Sequence, residues 1–149
     1  MRSQRQAWTS VPLPWFDETT LNPAVEAGQE GIEIWAPDQV SLEAGRGRIP
    51  LFGTVQFGEE TLREAGILDR HPLRAVVVGI IPEGVYSPLV GNAVLQAALL
   101  PPEGGPVVRE YFAVDLAECT GWRPGVADLH VFASVTGFVA PPRALSVVR

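Results

Sequence analysis

One cysteine and two histidines are the residues of this 149-residue chain best suited to nucleophilic or metal chemistry. Cys119 and His130 together have the side chains that a thiol nucleophile and its imidazole base would need. No local signature of a catalytic cysteine surrounds Cys119, however. Because a free cysteine usually packs as a small buried hydrophobe, the sequence favours a structural thiol, and we expect no enzymatic activity.

Asp128 and His130 are a second candidate, because they stand two positions apart on a predicted strand. Side chains at that spacing project from the same face, where an acid and an imidazole could pair or bind a metal. A metal site needs at least one more ligand, and His71 lies far along the sequence in a predicted loop. We therefore predict no metal and no cofactor.

Carboxylates and aromatic rings are weaker candidates. Glu59, Glu60 and Glu64 form an acidic cluster, and glycosidases act through two carboxylates, but exposed helices carry such residues routinely. Three aromatic side chains could stack on a sugar ring if they shared one surface: Trp35, Tyr86 and Trp122. A carbohydrate- or ligand-binding module therefore stays open as an alternative function.

Composition and charge exclude several classes of partner. The net charge is −6 and the isoelectric point about 4.9, whereas phosphate binding needs a concentrated basic surface, so we expect no nucleic-acid partner. No apolar run approaches the ~20 residues that a membrane-spanning helix needs, and we expect no membrane partner. A single cysteine and an N-terminus without an apolar leader segment favour a cytoplasmic protein.

The C-terminal part of the chain contains the elements that must position these side chains. Apolar residues occupy every second position from 129 to 135, as on a strand with one buried face. The inward-facing set is Leu129, Val131, Ala133 and Val135, and the outward-facing set begins with His130, Phe132 and Ser134. The same alternation predicts a strand over 107–118, with Phe112, Val114 and Leu116 inward, and a closing strand with Leu145 and Val147 inward.

This pattern resembles the last strands of immunoglobulin-like and fibronectin-type β-sandwiches. Pro124-Gly125 supplies the short turn, a long strand follows, and an edge strand closes the chain. The resemblance implies an all-β fold, namely an immunoglobulin-like antiparallel β-sandwich of about seven strands with one short helix. The tyrosine corner of many such domains is absent, since Asp128 and Leu129 stand at that place.

Upstream segments supply further strands. Alternation predicts strands over Gly31–Trp35 and over 49–57, and Gly53 falls on the inner face of the second, where a bulky neighbour could approach the backbone. The segment 73–81 is apolar on both faces, which predicts a central strand covered on both sides. Residues 89–100 fit either a strand or a helix, and the flanking prolines favour a strand.

Two other segments complete the predicted order. Helix-forming residues with early acids and a closing glycine predict a short helix over 59–66 that links the two sheets. Residues 1–28 show no sustained period, which predicts an extended N-terminal arm before a sandwich domain of residues 29–149. The arm carries Trp8, Trp15 and Phe16, which would pack across the sandwich or on another chain, because large apolar side chains are costly to leave in water.

The outward face of strand 129–135 is the surface most suggestive of function. In an immunoglobulin-like arrangement this strand lies between strand 73–81 and the closing strand. Its outward face carries His130 and Phe132, and its neighbours add Val148 and one of two apolar sets: Val77 and Ile81, or Val76, Val78 and Ile80. A solvated outer face is normally polar, so this one indicates an interface. We expect a non-catalytic binding or assembly module that recognises another protein or itself through Trp8, Trp15, Phe16, His130 and Phe132.

Overall fold

The computed structural model describes residues 29–85, 87–93 and 106–149, and their strands form two sheets. The smaller, three-stranded sheet has the order β1-β3-β6 and is antiparallel throughout; its strands are Gly31–Trp35 (β1), Pro50–Gly58 (β3) and Val107–Asp115 (β6). The predicted all-β class is therefore confirmed for the described residues.

The larger, six-stranded sheet has the order β2-β9-β7-β4-β5, with β8 paired to the end of β7. Its strands are Gln39–Ser41 (β2), Val77–Pro82 (β4), Leu89–Asn92 (β5), Ala127–Val135 (β7), Phe138–Val139 (β8) and Arg143–Val148 (β9). All its pairs are antiparallel except β2 with β9, which is parallel. The expectation of purely antiparallel pairing is wrong at that edge.

Both sheets contribute to one hydrophobic core. Every residue that alternation placed inward on β7 is buried, as are Leu116, Leu145 and Val147. On β1 the inward residues Ile32 and Ile34 are buried as well. A strand has only two faces, so one correctly assigned apolar residue determines the orientation of all the others.

A short helix links the two sheets, as predicted. Glu59–Glu64 (α2) follows β3 of the smaller sheet, and a 3-10 turn at Pro72–Ala75 leads into β4 of the larger one. The predicted strand over 73–81 therefore begins later than expected. Its first residues form the turn, because a proline at the first helical position already has the required φ.

Two further short helices make the expectation of a single helix wrong. Leu42–Gly45 (α1) follows β2 directly, and the Ser41 side chain caps it by accepting a hydrogen bond from the Ala44 N–H at 3.1 Å. Leu116–Thr120 (α3) replaces the end of the predicted strand 107–118. There the Asp115 carboxylate accepts from the Ala117 N–H at 3.1 Å and caps the helix. Such side-chain caps favour a helix start over continued sheet pairing.

Glycines allow two aromatic rings to lie against neighbouring strands. Gly53 pairs with Phe112 across β3 and β6, and a Cβ at Gly53 would stand 2.1 Å from the Phe112 ring. The predicted close approach at Gly53 is therefore confirmed. Gly79 pairs with Phe132 across β4 and β7 of the six-stranded sheet, on the side that points away from the core. A Cβ at Gly79 would stand 2.3 Å from the Phe132 ring.

Several predictions concern residues outside those described. The arm of residues 1–28, with Trp8, Trp15 and Phe16, is among them, as is Tyr86. The ambiguous segment 89–100 begins as strand β5, and its residues from 94 onwards also lie outside the described part.

Candidate binding surface

The register of the six-stranded sheet decides which side chains point away from the core. Strand β7 lies between β4 and β9, as predicted, and Val77, Gly79 and Ile81 pair with Ser134, Phe132 and His130. Directly paired residues project from the same side of a sheet. The outer face, meaning the surface of this sheet that points away from the core, therefore contains Val77 and Ile81. The alternative set Val76, Val78 and Ile80 is buried.

One end of the outer face is apolar. Val77 is 37% exposed, Val90 on β5 is 52% exposed and Val139 on β8 is 68% exposed. The half-buried Phe132 lies among them on β7. We call Val77, Val90, Val139 and Phe132 the valine patch. Its strands are consecutive neighbours in the sheet, so the patch extends over about 15 Å perpendicular to the strands.

Phe132 joins the valine patch to the sheet beneath it. Its ring contacts the backbone at Gly79, where any side chain would collide with it. The ring therefore covers the one outward position of β4 that has no side chain. A Phe–Gly cross-strand pair of this kind stabilises the sheet, so Phe132 has a packing role in addition to the predicted binding role.

The other end of the outer face contains an acidic groove of about 670 Å³. Asp38, Glu83 and Asp128 line it together with His130, while Ile81 and Ala144 supply apolar surface. No arginine lines it, and none of its three carboxylates forms an ion pair within the described residues. The groove therefore has a negative electrostatic potential that suits a cationic group.

Hydrogen bonds hold the rim of the acidic groove in place. The Ser146 hydroxyl donates to Asp128 Oδ1 at 2.7 Å, and the Glu83 N–H donates to the Asp128 carbonyl at 2.9 Å. The Ser146 N–H donates to the Asp38 carbonyl at 2.9 Å. The backbones that carry the three carboxylates are thus connected to one another.

The two histidines do not form the arrangements that the sequence suggested. Asp128 and His130 share the outer face, but the partner of Asp128 is Ser146. His71 lies elsewhere, with its Nδ1 2.9 Å from Glu110 Oε2. The described residues contain no cluster of three or more His, Cys, Asp and Glu side chains placed to hold a metal ion.

Cys119 is separated from His130 by the six-stranded sheet. Helix α3 packs against the inner side of β5, where the Cys119 carbonyl and sulfur lie against Gly91. The thiol is buried and donates weakly to the Asn92 carbonyl at 3.4 Å. Burial raises the pKa of the Cys119 thiol, and the nearby charges of Asp115 and Glu118 raise it further. A thiol in this environment is a poor nucleophile at neutral pH.

The aromatic residues proposed for sugar stacking do not line the groove. Trp35 faces outward on the three-stranded sheet, with its ring 5.8 Å from that of Phe52. Trp122 follows α3 and packs against the core. Among the described residues, no tryptophan or tyrosine lines the acidic groove, so the observed geometry does not favour a carbohydrate site there.

Alternation in the sequence missed four residues of this surface. Val139 lies on the short strand β8 just after a turn, and Val90 lies in the segment that fitted helix and strand equally. Asp38 and Glu83 lie next to strand ends and line the groove only because β2, β4 and β9 converge there. No periodic signal marks such residues.

Comparisons with known proteins add no relative: no protein-family model, curated protein or solved structure matches this chain. None of the described helices has the length and apolar character needed to cross a membrane. The function must therefore be inferred from the surface itself.

Proposed function

We propose that this chain is a non-catalytic binding module with an immunoglobulin-like sandwich fold, and that it recognises another protein through the outer face. The strand order supports the fold. The order β1-β3-β6 corresponds to strands A-B-E of immunoglobulin domains, and β9-β7-β4-β5 corresponds to G-F-C-C′. Each strand also takes its place in the same sequence along the chain.

The valine patch is the observation that carries the proposed function. Antiparallel sheets with one solvated face normally present polar residues there, yet three valines and a phenylalanine stand on neighbouring strands of this face. The largest apolar patch on a protein surface is often functional. Apolar residues inside a polar rim are also the usual anatomy of a protein–protein interface, and here Asn92 and His130 flank the patch. Ser134 lies within the patch, between Val77 and Val139.

A protein partner fits this surface better than the other classes considered. A net charge of −6 disfavours nucleic acid. Cys119 is buried and its thiol pKa is raised, which argues against a catalytic thiol. We place the module in the cytoplasm, whose reducing conditions suit a lone free cysteine.

The test combines capture of a partner from the native host with substitutions on the outer face. Val90→Arg and Phe132→Arg each place a charge in the valine patch, and we expect both to abolish capture, because an unpaired charge cannot be buried at an interface. Leu68→Arg is the matched control, since Leu68 is an apolar residue 81% exposed in the turn after α2. Partners retained equally by all variants would overturn the proposal.

Light scattering on the full-length protein separates a foreign partner from a second copy. Self-association predicts an oligomer that Val90→Arg dissociates without lowering its melting temperature. Deleting residues 1–28 tests whether the chain itself covers the face. A truncated protein that aggregates or melts much earlier would support intramolecular cover and count against a binding surface.

A further inference from the structure

We infer that the partner of the outer face is a protein segment that carries arginine or lysine together with apolar side chains, and not a second copy of this chain. This inference rests on the proposed function and specifies its partner. The outer face joins two chemically different regions, the valine patch and the acidic groove. A single partner that covers both must match both.

The carboxylates of the acidic groove have no balancing arginine among the described residues. Asp38, Glu83 and Asp128 are all exposed, and none of the described arginines lines the groove. The hydrogen bond to Asp128 comes from a neutral hydroxyl, so the negative charge of the groove is not neutralised locally. Complementary potentials increase the association rate and select the partner, and this groove therefore favours a cationic group.

The same charges argue against a second copy. The residues that point outward from the described strands of this sheet are apolar or polar, apart from Asp128 and His130. Arg143 on β9 pairs with the inward-facing Val131, and its Nε donates to the Ile34 carbonyl at 3.2 Å. Two copies that opposed their acidic grooves would bring their carboxylates together with no arginine from the described residues of the face between them, and like charges at an interface are strongly unfavourable. Two copies that set the groove of one against the valine patch of the other would bury unpaired carboxylates against apolar side chains, which is also unfavourable.

The spacing of the two regions describes the partner further. On β7, Asp128 lies in the acidic groove, and Ser134 lies in the valine patch between Val77 and Val139. These two residues are six positions apart. At about 3.4 Å per residue the two regions lie roughly 20 Å apart. We infer that the basic side chains of the partner stand about this far from its apolar ones, as they would along an extended segment of about six residues.

The probe is a display library of random peptides of about sixteen residues, selected on the immobilised full-length protein. We expect enriched peptides to contain arginine or lysine in excess over the unselected library, together with valine, leucine or isoleucine. Synthetic versions of the enriched peptides then provide dissociation constants by fluorescence anisotropy, at low and at high salt. Attraction between exposed charges is screened by salt, so binding should weaken as salt rises.

Variants assign the binding to each region of the outer face. Neutralising Asp38→Asn, Glu83→Gln and Asp128→Asn together should weaken peptide binding about tenfold and remove most of its salt dependence. Val90→Arg should weaken it more than tenfold, because it places an unpaired charge in the apolar valine patch. Leu68→Arg and Glu64→Gln, both outside the face, should leave it unchanged. Equal melting temperatures exclude unfolding as the cause.

The outcomes distinguish this inference from the proposed function. The selection could yield peptides that fail to bind the Val90→Arg protein and yet carry no basic residue, or that bind the triply neutralised protein as well as the parent. Such peptides would overturn the inference of a basic partner, but the proposal that the outer face binds a protein would still hold. A selection that yields no peptide sensitive to Val90→Arg would overturn both. A full-length protein that dimerises through the outer face at low salt would overturn the exclusion of a second copy.

Discussion

At the scale of single residues, the contact between Gly53 and Phe112 tightly constrains the described core. The Phe112 ring is fully buried and stands where a side chain on residue 53 would have to lie. We expect Gly53→Ala to destabilise the protein by about 1–3 kcal/mol or more, because a filled core has no space for an added methyl group. Urea denaturation gives the change in free energy of unfolding.

Gly125 provides the control for Gly53. A Cβ at Gly125 meets no atom within 4 Å, and its φ lies outside the left-handed region. Gly125→Ala should therefore leave the free energy of unfolding within about 0.5 kcal/mol of the parent. A Gly53→Ala protein as stable as the Gly125→Ala protein would show that the ring can move away from the backbone.

Cys119 has a structural role at the same scale. Burial raises the pKa of its thiol, so at a given pH less of it is the reactive thiolate than in a free cysteine. We expect slow alkylation by iodoacetamide at pH 8 in the folded protein and fast alkylation after unfolding. Cys119→Ser should retain partner capture with at most a modest loss of stability. Loss of capture in a Cys119→Ser protein that melts normally would restore a functional role for the thiol.

At the scale of elements, β7 is the strand that the sequence predicts best. Its period of two is long and unbroken, and both neighbours in the sheet are the expected ones. The sequence failed where a local side-chain cap competed with alternation, as at Asp115, whose carboxylate starts α3. It also gave no sign that β3 is buried on both faces: Thr54 and Gln56 oppose the apolar face yet are 0% and 2% exposed. Burial of polar residues depends on tertiary packing and leaves no periodic trace.

The register of β7 predicts which positions of this strand tolerate a charged side chain. Val131 is fully buried, and Val131→Asp should prevent cooperative folding, because an unpaired buried charge costs more than the ~5–15 kcal/mol of stability typical of a domain. His130→Asp places the same carboxylate one position away on the exposed face, and we expect it to change stability by no more than about 0.5 kcal/mol. A Val131→Asp protein that is soluble and melts cooperatively would show that the two faces are inverted.

At the scale of the whole molecule, the net charge and the apolar outer face have opposite effects on association between copies. The valine patch favours contact between copies, whereas a net charge of −6 at pH 7 makes copies repel one another. The two regions of the outer face also differ in how far the sequence predicts them. Phe132 and Val77 were predicted from sequence because they lie on strands with clear alternation, but the acidic groove was not, because it forms where several chain segments converge.

Lowering the pH should shift that balance. The net charge falls to zero near the isoelectric point of about 4.9, so repulsion between copies is present at pH 7 and lost as the pH falls towards 5. We expect light scattering to show a monomer at pH 7 and association near pH 5 through the valine patch. Val139→Arg should suppress this association, since it places a charge on the most exposed valine of the patch. Leu68→Arg adds the same charge elsewhere and should not. Association at pH 5 that both variants retain equally would place the contact between copies outside the outer face.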